Sequence, residues 1–95
     1  MNIEDITFLA NNQVVIETTK KAIFWSYGSQ IATYDFARGT LQLGLDWDYS
    51  PTTLKYLHKF LVNFTRLNMP PKEIRKAIKN KKIKINKNFK VGEKD

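Results

Sequence analysis

The sequence predicts an α+β fold: an antiparallel meander of four or five strands, one amphipathic helix across one face, a short second helix and a basic C-terminal tail. Three observations predict it. Residues 22–45 hold strand-like runs separated by glycine-containing turns. Residues 51–67 carry apolar side chains at helical spacing behind a Ser-Pro start. Lysine crowds the chain after residue 71. The 95 residues suit one small domain, near the lower limit of what a single core stabilises unaided, and a composition 42% apolar and 13% aromatic is enough for such a core. The expected organisation is one α+β domain over 1–80 and a partly ordered lysine-rich extension over 81–95.

The first elements read as a strand pair, Ile6–Leu9 and Gln13–Thr18, around Ala10-Asn11-Asn12. Asparagine tolerates positive φ, which a short turn needs. Ala22–Tyr27 is rich in strand formers. Gly28-Ser29 suits a two-residue hairpin loop, Gln30–Phe36 a returning strand, and Arg38-Gly39 a second turn before the alternating Thr40–Leu45. With both turns as two-residue loops, Trp25 faces Ala32, Ile23 faces Tyr34, Phe36 faces Leu41 and Tyr34 faces Leu43. One face then gathers Ile23, Trp25, Ala32, Tyr34, Phe36, Leu41, Leu43 and Leu45. The other is mostly polar, with Phe24 and Ile31 as exceptions, as in an antiparallel sheet with one wet side.

Ser50 is a good N-cap and Pro51 suits the first helical position. Leu54, Leu57, Phe60, Leu61, Phe64 and Leu67 form one helical stripe, expected to cover the sheet's apolar face. Asn68-Met69-Pro70-Pro71 is expected to end this helix. A second helix over 71–79 carries Ile74 and Ile78. Lys82-Ile83-Lys84-Ile85-Asn86 alternates, which allows a last short strand anchored by Ile83, Ile85, Phe89 and Val91.

Charge is unevenly spread. The chain's net charge is +7, and residues 1–70 hold six bases and six acids, so the whole excess lies beyond residue 70. A clustered basic segment is the footprint of a polyanion partner, through counterion release from phosphates. A solubilising role is the competing reading. Lysine outnumbers arginine nine to one in that segment, which favours backbone contact over base readout. The candidate nucleic-acid or partner-binding residues are Lys55, Lys59 and Arg66 of the first helix, with Lys72, Arg75, Lys76, Lys79, Lys81, Lys82, Lys84, Lys87 and Lys90.

Most chemistry finds no residues here. There is no cysteine and a single histidine. A thiolate zinc site, a cysteine nucleophile and a multi-histidine site are therefore excluded. Asp46-x-Asp48 alone is a weak metal signal, and His58 has no acid beside it on its helix. No phosphate-cradling glycine loop or nucleophile elbow occurs. The expectation is a non-catalytic protein without cofactor or metal. No run of apolar residues is long enough to cross a membrane and the N-terminus lacks a signal core, so the reading is a cytoplasmic protein. Trp25, Tyr27, Tyr34, Phe36 and Trp47 could form a base-stacking platform, but the register above buries most of them. Tyr27, Phe24 and Tyr49 are the aromatics that this reading leaves most free to be exposed.

Trp25-Ser26-Tyr27, Gln30–Asp35 and Trp47–Leu61 share a pattern: an SY…IA-Y hairpin, then W-YS-TT-K-L–F at a helix start. The pattern resembles a family of small proteins from phages and conjugative elements of low-GC Gram-positive bacteria, over about residues 24–64. The resemblance implies a mobile-element accessory protein that acts by binding. Anti-CRISPR inhibitors, anti-restriction factors and regulators are its classes. Many such inhibitors imitate DNA by being acidic, whereas this chain is basic. An inhibitor of this kind is expected to engage the nucleic acid or an acidic surface of a host defence nuclease complex through its basic C-terminal surface. The alternative is a stand-alone DNA- or RNA-binding accessory or regulatory protein of the element.

Overall fold

A computed structural model describes residues 3–87. Six strands form one sheet in chain order: β1 (Ile3–Ala10), β2 (Gln13–Thr18), β3 (Lys21–Ser26), β4 (Ser29–Asp35), β5 (Thr40–Gly44) and β6 (Lys84–Asn86). Two helices, α1 (Pro51–Phe64) and α2 (Pro71–Lys79), lie between β5 and β6 in sequence. The first five strands are an antiparallel meander, and β6 returns parallel to β5. This is the expected α+β architecture: a five-strand meander, with the last short strand that the alternation over residues 82–86 allows. Of the expected anchors of the last strand, Phe89 and Val91 lie outside the described residues.

The hairpin registers differ from those expected. The β3–β4 loop is Tyr27-Gly28, not Gly28-Ser29: Ser26 pairs Ser29, and both loop residues have positive φ, 51° and 79°. Positive φ at both central positions matches the twist of a tight hairpin, and Tyr27 accepts the strain that glycine would avoid. A bulge at Ile31 then sets Phe24 opposite Ala32 and Ala22 opposite Tyr34. This one-residue offset exchanges the faces of β3. Phe24 is fully buried in the core, while Ile23 and Trp25 pair with Ile16 and Val14 on the opposite face.

The β4–β5 loop is Phe36–Gly39, not Arg38-Gly39, so Tyr34 pairs Leu41 and Ala32 pairs Leu43. A two-residue offset keeps the faces. Ala32, Tyr34, Leu41 and Leu43 therefore stay in the core as expected, but Phe36 and Leu45 fall beyond the strand ends and are exposed. Phe36 still meets the edge of Tyr34, with centroids 6.0 Å apart.

The helix stripe does cover the sheet. Leu57, Phe60 and Leu61 are buried with Val15, Ala22, Phe24, Ala32 and Leu43, and Leu54 and Phe64 pack at the margin. Ser50 caps α1 by accepting from the Thr53 N–H at 3.1 Å, and Pro51 follows at the first helical turn. The helix stops at Phe64, before the prolines. Thr65 Oγ1 donates to the Leu61 carbonyl at 2.7 Å and accepts from the Leu67 N–H at 2.9 Å, so the threonine turns the chain out of the helix. Leu67 consequently packs at the core margin from outside the helix. α2 has the expected bounds and inserts Ile74 and Ala77 into the same core. Ile83 joins them, and Ile85 packs at the margin.

α2 ends in a hydrogen-bonded turn. Lys82 N–H donates to Ala77 O at 2.8 Å and Lys81 N–H to Ile78 O at 3.0 Å, with Lys81 left-handed at φ 60°. This is the Schellman arrangement, whose left-handed position is usually glycine.

Candidate functional site

Between Pro71 and Lys87 the chain carries Lys72, Arg75, Lys76, Lys79, Lys81, Lys82, Lys84 and Lys87 against Glu73 alone. That is eight bases and one acid, equal to the entire net charge of +7. All eight side chains are exposed. They sit on α2, its C-terminal turn and β6, an outermost strand of the sheet. Burial of Ile74, Ala77 and Ile83 turns the intervening lysines outward, so the core packing itself lays out the charge.

The C-terminal turn of α2 borders a groove of about 560 Å³. Its apolar lining is Leu41 of β5, Ile78 of α2, and Ile83 and Ile85. Arg38, from the β4–β5 loop, contributes a cation, as do Lys81, Lys82 and Lys84; Thr40 and Gln42 add polar groups. The groove exists because β6 pairs only with Gln42–Gly44, which leaves Thr40 and Leu41, paired with β4 on their other side, without a strand on the β6 side.

The remaining candidates are placed elsewhere. Lys55 and Lys59 rest over the Tyr56 ring, at 5.4 and 5.2 Å, and Arg66 is exposed beyond the end of α1; none lines the groove. Arg75 lies 5.2 Å over Trp47 and 3.9 Å from Asp48, which ties α2 to the loop before α1. Lys72, Lys76 and Lys79 extend the charge along α2 without lining the groove. Lys87 borders a smaller cleft beside Gln42 and Asn86. Lys90 lies outside the described residues.

Of the expected exposed aromatics, Tyr27 and Tyr49 are exposed and 6.3 Å apart, but Phe24 is wholly buried against Phe60. The cleft at the tyrosine pair is lined by Asp46 and no cation, so it is not part of the basic edge. His58 Nε2 meets Asn68 Oδ1 at 3.1 Å. No group of three or more His, Cys, Asp or Glu side chains is gathered among the described residues, and no helix there is long and apolar enough to cross a membrane.

Two features escaped the sequence reading. The sequence marks Arg38 only as a turn residue, although its loop brings it to the groove. The far edge of the sheet, β1, exposes Ile3, Ile6 and Phe8, the last 72% accessible. The signal for the groove was present in Ile83 and Ile85 alternating with lysines, but its apolar floor needed the parallel pairing of β6.

No curated protein matches the chain, and no solved structure does. One family model matches residues 1–81, a span that holds α1, α2 and five strands and stops before β6. With most of its length so matched, the chain belongs to DUF8033, a family of unknown function.

Proposed function

We propose that this chain acts by binding rather than by catalysis, and that its ligand is nucleic acid held by the phosphates along the α2–β6 edge. The observation that carries the reading is the placement of the whole net charge on one exposed, structurally supported edge. A merely solubilising charge has no reason to be so gathered. Lysine predominance makes the contact tolerant of sequence. The test is fluorescence anisotropy with duplex DNA, single-stranded DNA and RNA across a salt series. If about six phosphates are neutralised, log K falls against log salt with a slope of roughly −5 on duplex. Absence of binding to all three at physiological salt defeats the reading.

A second reading is favoured by the exposed Ile3, Ile6 and Phe8 on the opposite edge. A basic edge and an apolar patch together suit a nucleoprotein better than free nucleic acid. In that reading the chain is a mobile-element inhibitor of a host nucleic-acid-targeting defence complex, of the anti-CRISPR type, acting in the bacterial cytoplasm. A guided-nuclease cleavage assay tests it: inhibition reduced by Phe8→Ser supports the reading, and inhibition of no such complex removes it.

A further inference from the structure

Resting on the nucleic-acid reading, we infer that the groove bounded by α2, β5 and β6 is a subsite for one unpaired base, so that the chain prefers single strands to duplex. Its floor is aliphatic: the partly exposed Ile78 and Ile85, backed by the nearly buried Leu41 and Ile83. Arg38 supplies charge from the β4–β5 loop, and Lys81, Lys82 and Lys84 supply it from the turn after α2 and from β6. A duplex presents only its phosphates to such a surface, since its bases are stacked and paired inside, and the apolar floor stays wetted. A single strand can turn a base onto the floor while its phosphates reach the surrounding cations. A groove of about 560 Å³ is ample for a nucleobase.

Lys81 strengthens the case. It holds φ 60° at a position that glycine would occupy without strain. The fold tolerates a left-handed lysine where that lysine adds a cation to the groove, the pattern of local strain at working sites. No aromatic side chain lines the groove, so the base is covered by aliphatic groups rather than stacked on a ring. The expected gain is therefore modest and insensitive to which base enters.

The test is anisotropy with three labelled probes of equal length at one salt concentration: oligothymidylate, the same backbone with abasic sites, and a duplex. The expected order is oligothymidylate tightest, with roughly a fivefold preference over the abasic strand, the scale of about 40 Å² of apolar surface buried. Ile78→Ser is expected to erase that preference and leave the salt slope unchanged. Equal binding of the abasic strand and oligothymidylate, or tighter binding of duplex, overturns the base subsite and leaves the nucleic-acid reading standing. Failure of all three probes overturns that reading and the subsite with it. Polyglutamate competing as well as oligothymidylate reassigns the groove to an acidic polypeptide and also overturns the inference.

Discussion

The ring of Phe24, in β3, lies 5.7 Å from the ring of Phe60, in α1, with the two planes 19° apart. Phe60 stacks in turn on Phe64 at 5.9 Å. This short aromatic column joins the centre of the sheet to the helix above it. It seats against the helix the face of β3 that the Tyr27-Gly28 loop and the Ile31 bulge turn inward.

Phe24→Ala is expected to cost about 3–5 kcal/mol, because it opens a cavity beneath α1. Phe36→Ala, at a position 41% exposed, is expected to cost under about 1 kcal/mol. Urea unfolding measures both. The register read from sequence predicts the reverse order, so a larger loss for Phe36 would contradict the pairing of β3 with β4.

Thr53 links the start of α1 to the sheet. Its hydroxyl meets Ser26 Oγ at 3.0 Å in the core, and the Ser50 hydroxyl donates to it at 3.2 Å. Thr53→Val keeps the shape and removes both bonds. The expected loss is about 1–2 kcal/mol, since the Ser26 hydroxyl is left buried without this partner. An unchanged denaturation midpoint would show that the hydroxyls find other partners at no cost.

Gln13 is 1% exposed, and neither its amide oxygen nor its amide nitrogen has a hydrogen-bond partner among the described residues. Burying an unpaired amide is costly. Gln13→Leu is therefore expected to raise stability by about 1–2 kcal/mol in the same unfolding experiment. A loss of that size would instead reveal a partner for the amide.

Lys81→Gly separates stability from binding. Relief of the left-handed strain is expected to stabilise the fold by about 1 kcal/mol, while the lost cation weakens single-strand binding and lowers the salt slope by roughly 0.7. Thermal unfolding and anisotropy on one sample read both effects. A variant that is more stable and binds equally well would remove Lys81 from the site.

Helix positions were largely legible in the sequence, and strand registers were not. Ser50-Pro51 and Pro70-Pro71 mark their helix starts through local chemistry, and the burial of Ile74 and Leu57 follows from spacing alone. The end of α1 was hidden because Thr65 stops it by a hydrogen bond rather than by proline. The β3–β4 register was hidden because Tyr27 adopts a backbone conformation that composition does not announce, and Ile31 adds a bulge. The β4–β5 error was harmless to the core because an even offset preserves faces. The charge excess was visible residue by residue. Its union with Arg38 around an apolar groove was not, since it depends on the last strand crossing back beside β5.

A salt titration of three proteins with oligothymidylate tests whether the α2–β6 edge holds nucleic acid. The three are the full chain, a chain ending at Lys87, and the full chain with Lys82→Glu and Lys84→Glu. Residues 88–95 hold two lysines and two acids, so their removal changes no net charge. A cut at residue 80 is a poorer choice, because it also strips Ile83 from the core. The chain ending at Lys87 is expected to bind like the full chain with the same slope, and the double reversal to lose binding at physiological salt while remaining folded. Lost binding in the shortened chain, or unaffected binding in the double reversal, would contradict that role of the edge.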